Sequence, residues 1–204
     1  MQVPPPVTLF IIITTLILSF AAWSVPQMMT EGMLRPYYAV RENRWYQMLT
    51  SGFLHANYTH LLFNMLTFYF FGPVMEQILG PQKFLALYLT ALIFSSIPAM
   101  IKHHGNPNYA ALGASGAVEA VLFGFILLAP FQVLTIFIPI PVPLPAIVLG
   151  VLFIAYSIWA GKRNMDNIGH DAHIAGAAYG IIFTGIAIHG AFPNFANEIL
   201  GLLG

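Results

Sequence analysis

The chain has 204 residues, 58% of them hydrophobic and only 7% charged, with a formal net charge of zero and a mean hydropathy of +0.78. That composition excludes an ordinary soluble domain, and the lack of a basic surplus excludes nucleic acid as a partner. The absence of cysteine removes disulfides, cysteine-ligated zinc and a cysteine nucleophile together.

About twenty apolar residues cross a bilayer, so the length predicts a single all-α polytopic membrane domain over 1–204, with about six spans. The run from Val7 to about Val25 predicts the first span, and with no charged flank and no clear cleavage site it reads as retained rather than as a signal peptide. The polar section from Pro26 to Leu54 carries Arg35, Arg41 and Arg44 among Tyr37, Tyr38, Trp45 and Tyr46, a mixture that suits the headgroup region. Further spans are expected at Tyr58 to Met75, Phe84 to Ile101, Ser115 to Ala129, Ala146 to Ala160 and Ala172 to Ile188. Pro139, Pro141, Pro143 and Pro145 cannot share one regular helix, so Phe131 to Pro145 reads as a buried or interfacial loop. A weakly polar tail follows the last span.

The alternation of spans carries a functional inference. Spans two, four and six run in one direction, which places His60 and Asn64, Ser115, and His173 near the same membrane face. Polar side chains inside spans are expensive and mark sites. Ser115 lies between Gly113 and Gly116 at a helix entrance, where unpaired N–H groups can receive an oxyanion. The plainer reading is a serine N-cap in a glycine-rich turn. Gly116, Ala120 and Gly124 in span four, and Ala172, Gly176 and Gly180 in span six, form two stripes of small residues that let helices approach closely. Packing along those stripes brings Ser115 beside His173, a nucleophile and a base.

His60 and Asn64, one turn apart, offer oxyanion donors beside the Ser115 N–H, or else a polar contact between helices. Other intramembrane chemistries lack their residues. His170-Asp171-Ala172-His173 does not have the spacing of a zinc protease, Asp166 and Asp171 share one loop and cannot form an aspartyl dyad, and no metal or cofactor is expected.

Taken together, Arg44-Trp45, His60-Leu61-Leu62-Phe63-Asn64, Gly72 with Glu76 and Gly80, Gly113-Ala114-Ser115-Gly116, and Ala172-His173-Ile174-Ala175-Gly176 with Gly180 resemble the rhomboid intramembrane serine proteases over nearly the whole chain. The resemblance implies a six-transmembrane-helix bundle, a Ser115–His173 catalytic dyad, and an oxyanion site from His60, Asn64 and the Ser115 amide. It also implies transmembrane-helix substrates, cut near the membrane surface within the lipid bilayer. A multi-pass protein of a bacterial inner membrane is the expected setting. Two features depart from the pattern. Glu119 replaces the aromatic residue expected one turn after Ser115; it is either protonated or paired with His173, and with Gly113 it is an accessory candidate. The active-site face also carries Arg35, Arg41, Arg44, Lys102, Lys162 and Arg163 against only Lys83 opposite, which contradicts the positive-inside rule. A non-cleaving rhomboid-like binder of membrane helices is the first alternative, opposed by the presence of both Ser115 and His173. A small transporter is the second, and it would need paired charges in several spans and a repeated half, neither of which the sequence has.

Overall fold

The computed structural model describes residues 4–138, 140–163 and 169–201; Asp166, weighed above, lies outside them. Prolines set several of the helix starts, because a fixed φ and a missing N–H cost nothing in a first turn. Helix α1 (Pro6–Ser24) gives way to α2 (Pro26–Gly32), and α3 (Pro36–Arg41) follows. The short α4 (Gln47–Thr50) runs into one 3-10 turn, Ser51–Phe53. The section expected at the headgroups is thus three short helices and a turn, tied back by a two-residue bridge from Leu34 to Ala111.

Helix α5 (Tyr58–Leu79) begins where Asn57 Oδ1 accepts the His60 N–H at 2.9 Å, and it ends at Gly80 with φ 77°, a left-handed turn into α6 (Pro81–His103). Helices α7 (Ser115–Leu128), α8 (Ala146–Arg163) and α9 (His170–Ala187) match the predicted spans four to six within a few residues. Of these helices only α1 and α6 are by themselves long and apolar enough to cross a membrane, and α9 qualifies together with α10 (Ala191–Leu200). The tail expected after α9 is α10 itself, turned by 110° at Gly190.

The segment read as a loop is a β-hairpin, β1 (Val133–Ile138) against β2 (Ile140–Pro145), with Val133 opposite Pro145 and Thr135 opposite Pro143. Its prolines break helix but not strand. They fall at alternate positions, so Ile140, Val142 and Leu144 keep their N–H groups, all directed to one side where a ladder can use them.

Helix α7 is the centre of the molecule. Eleven of its fourteen residues are buried, so it touches neighbours all round rather than along one face. At 1.5 Å per residue it is about 21 Å long, against ~30 Å of hydrocarbon in a bilayer. Its first turn lies level with the first turn of α9 and with Ser95 of α6, well inside the end of α6 at His103: a Cβ on Gly116 would strike Ser95 and face the Ala172 carbonyl. Phe68, Phe84 and Tyr88 fill the space between α5 and α6, the two phenylalanine rings stacked at 5.9 Å. Glu76 in α5 receives the N-terminus of α1: it accepts the Val7 N–H at 3.0 Å, and the Thr8 N–H and hydroxyl at 2.7 Å each. A buried carboxylate thereby satisfies donors that a helix start leaves unpaired.

Candidate active site

The contact between α7 and α9 sets the site. A Cβ on Gly176 would lie 2.0 Å from the Gly116 carbonyl oxygen, and one on Gly180 the same distance from the Ala120 oxygen. Gly124 meets Thr184 Oγ1 at 2.5 Å in the same sense, so the two stripes do face each other, backbone against backbone, over two turns. Gly116 also faces the Ala172 carbonyl at 3.3 Å, which aligns the first turn of α7 with the first turn of α9. Ser115 and His173 occupy those first turns. The two groups therefore share one end of the helix pair.

Ser115 is the first residue of α7 and not its cap, since the cap position is Ala114. The Ala117 and Val118 N–H groups both turn back to the Ala114 carbonyl, leaving the Ser115 and Gly116 amides ahead of the first helical bonds. The approach to the serine is shaped by Gly113. Its φ of 121° is one that side chains resist, and a Cβ there would strike the His60 ring at 2.5 Å from Cε1 and 2.7 Å from Nε2. His60 is thereby held against the loop that ends in Ser115. Asn64 is buried and gives one amide N–H to the His60 carbonyl at 2.9 Å, keeping the second in reserve.

On the other side, His173 has the Phe153 ring of α8 nearly parallel to it, centroids 5.7 Å apart and planes at 22°. The aromatic cover missing from α7 at Glu119 is thus supplied by α8. Glu119 is buried, and its Oε2 has no hydrogen-bond partner among the described residues, so that oxygen is not bonded to His173. His170 lies one turn before His173 with ring centroids 6.1 Å apart, and no group of metal-ligating side chains occurs among the described residues.

Sequence reading passed over His55. This fully buried ring faces Ser19 Oγ at 3.0 Å with Nδ1, while Nε2 accepts the Ala114 N–H at 3.4 Å. Ser19 Oγ donates to the Phe53 carbonyl at 2.9 Å, so its lone pair takes the Nδ1 proton and the tautomer is fixed by its partners. Trp23 Nε1 pins the His55 backbone at 2.7 Å. Burial, with the nearby His60 adding to it, pushes the His55 pKa down to about 3. The five-residue spacing from His55 to His60, in a loop just before a polar helix start, was the signal available in the sequence.

Residues 42–190 match the Rhomboid domain family. Over 180 residues the chain is 31% identical to the mitochondrial RHOMBOID-like protein 12 of Arabidopsis thaliana, covering 80% of this chain and 53% of that protein. It is 28% identical to the Bacillus subtilis rhomboid protease GluP over 75% of this chain and 29% of that one, and 28% identical to the human mitochondrial presenilin-associated rhomboid-like protein over 83% and 45%. The chain spans about half or less of the length of these relatives. Several of them carry mitochondrial names, so the expected bacterial inner membrane is not the setting that these relatives single out. The family match over most of the chain, together with the packing of α7 on α9, places this integral membrane protein in the rhomboid family.

Proposed function

We propose that this protein is an intramembrane serine endopeptidase, with the six helices α1, α5, α6, α7, α8 and α9 crossing the bilayer. The observation that carries the reading is the backbone contact of Gly116 with Gly176, which leaves a nucleophile and a base on the first turns of two touching helices. Ser115 Oγ attacks the scissile carbonyl carbon as its proton passes to His173. The oxyanion forms beside the Ser115 N–H, Asn64 and His60, and each donor is worth roughly 2.7–4 kcal/mol in the transition state. The His173 imidazolium then protonates the departing amine, and water hydrolyses the acyl-enzyme along the same route in reverse.

Neighbouring packing supports this assignment. Lys102 reaches Asp171 at 3.1 Å, fastening the end of α6 to the first turn of α9, and Gly113 gives its N–H to the Ser51 carbonyl at 2.9 Å, fixing the loop ahead of Ser115. The substrates are then transmembrane helices that unwind near the membrane surface. Purified protein incubated with a panel of transmembrane-helix substrates tests the reading, with mass spectrometry of the products. Cleavage that disappears in Ser115→Ala and in His173→Ala supports it. Binding of the helices without any product would assign the cleft to a non-cleaving rhomboid.

A further inference from the structure

Away from Ser115 and His173, an open apolar groove of about 470 Å³ lies between the α3–α4 segment and the last turns of α6. Val40, Trp45 and Met48 form one wall, and Ile97, Met100 and Ile101 the other. Its size falls in the ~300–1,000 Å³ range of small-ligand pockets. Trp45 and Ile101 are 51% and 69% exposed, so the groove opens outward onto the region of the interfacial aromatics.

The lip of the groove is cationic. Arg41, next to Val40, lays its guanidinium on the Tyr37 ring at 3.9 Å and donates Nη1 to the His104 carbonyl at 2.8 Å. Both contacts hold the charge in place without neutralising it. Arg35 sits in the same manner over Tyr38 at 4.2 Å. Two other cations on this face are matched: Arg44 pairs with Glu31 and Glu42, and Lys102 with Asp171. Among the described residues no carboxylate pairs with Arg35 or Arg41, so the lip keeps positive charge above an apolar trench.

We propose that this groove binds an anionic glycerophospholipid, one acyl chain lying along Met48, Ile97 and Ile101 and the phosphate on the free N–H groups of Arg41. A transmembrane peptide would fill the trench but leave the guanidinium unmatched, and a zwitterionic lipid would meet it with its own cation nearby; charge complementarity selects the anionic lipid. The site is also connected to the loop before Ser115. The Met48 carbonyl accepts the Ser96 hydroxyl at 3.4 Å, and α4 leads directly to Ser51, whose carbonyl holds the Gly113 N–H. A lipid against Met48 therefore steadies the segment that shapes the oxyanion loop. That consequence for turnover rests on the proposed protease activity; the binding itself does not.

Native mass spectrometry of the full chain in detergent, with equal amounts of dioleoylphosphatidylglycerol and dioleoylphosphatidylcholine, tests the site. Wild type should retain one phosphatidylglycerol in roughly fivefold preference, the effect of one basic group at an anionic surface. Arg41→Gln should lose the preference, Arg41→Lys should keep most of it, and Ile97→Trp, which fills the groove and leaves Arg41 in place, should lose both lipids. Circular dichroism melts show that each variant is folded. No preference in wild type, or a preference unchanged in Arg41→Gln and Ile97→Trp, overturns the proposal, as does displacement of the lipid by a transmembrane-helix peptide. In a second arm, cleavage is compared in phosphatidylcholine vesicles with and without added phosphatidylglycerol. Stimulation should occur in wild type and disappear in Arg41→Gln, and equal stimulation of both overturns the link to turnover. Absence of cleavage in every vesicle counts against the protease reading, while the spectrometry decides the groove independently.

Discussion

Gly176 and Gly116 touch through their backbones, with no room for a methyl group: a Cβ on Gly176 would lie 2.0 Å from the Gly116 carbonyl oxygen and 2.9 Å from its Cα. The neighbouring atoms are main chain and cannot rotate away. Gly176→Ala must therefore push α9 off α7, and His173 moves with it. Overpacking of this kind costs about 1–3 kcal/mol, and a displacement of even 1 Å at a reacting pair costs about a hundredfold in rate. We expect a lowered melting temperature and a much larger fall in turnover per folded molecule. Wild-type turnover in Gly176→Ala would show that the contact does not position the pair.

The dyad is tested chemically as well as by substitution. A fluorophosphonate should label Ser115 in wild type and fail to label Ser115→Ala. His173→Ala should cut labelling and cleavage together, because nucleophile and base act as one unit. Labelling that persists undiminished in His173→Ala would remove His173 from the mechanism.

Glu119 lies one turn below Ser115, yet its buried Oε2 meets no donor while Phe153 of α8 covers the His173 ring. We infer from this that the carboxyl group fills space rather than orienting the base. Glu119→Gln, nearly the same shape, should leave the base limb of the pH–rate profile in place and turnover within about threefold. A limb moved to lower pH with a tenfold loss would show the carboxylate acting on His173 in the substrate complex.

His55 links stability to pH. Its folded pKa of about 3 lies below the ordinary histidine value of about 6.5. Below pH 6.5 the unfolded chain takes up a proton that the folded one refuses, so this contribution is complete above that pH and lost as pH falls towards 3. The loss is on the order of a few kcal/mol. His55→Gln cannot titrate there. The melting-temperature advantage of wild type over this variant should shrink steadily between pH 6.5 and 4, and a constant difference would mean that His55 is not held neutral.

Glu76→Ala leaves the Val7 and Thr8 donors without their acceptor. Hydrogen bonds to a charged acceptor are worth about 1.5–3 kcal/mol each, and unsatisfied donors add their own cost. A loss of about 4–5 kcal/mol, the low end of that sum, is expected, smaller in Glu76→Gln, which keeps one acceptor oxygen. Amide exchange should accelerate first in α1, and uniform acceleration across the bundle would argue against a local cap.

The bundle helices were legible in the sequence because each is a run of apolar residues closed by glycine, proline or charge, and such runs bury backbone polar groups only as helix. The pairing of α7 with α9 was legible too, because small residues every fourth position mark the face where two backbones meet. The hairpin at Val133–Pro145 was not: prolines forbid helix plainly, but whether they permit strand depends on which side of the chain the partner lies. The carboxyl group of Glu119 and the ring of His55 show the same limit. Sequence spacing puts Glu119 on the serine's face, but only packing with α8 brings Phe153 to His173. His55 is one more histidine in a polar loop until the chain is folded, when Ser19, about 120 Å away along an extended chain at ~3.3 Å per residue, and Ala114 arrive on its two nitrogens. Local periodicity determines the elements and their contact faces; which polar atoms find partners is decided by residues distant in sequence, and so by the tertiary structure alone.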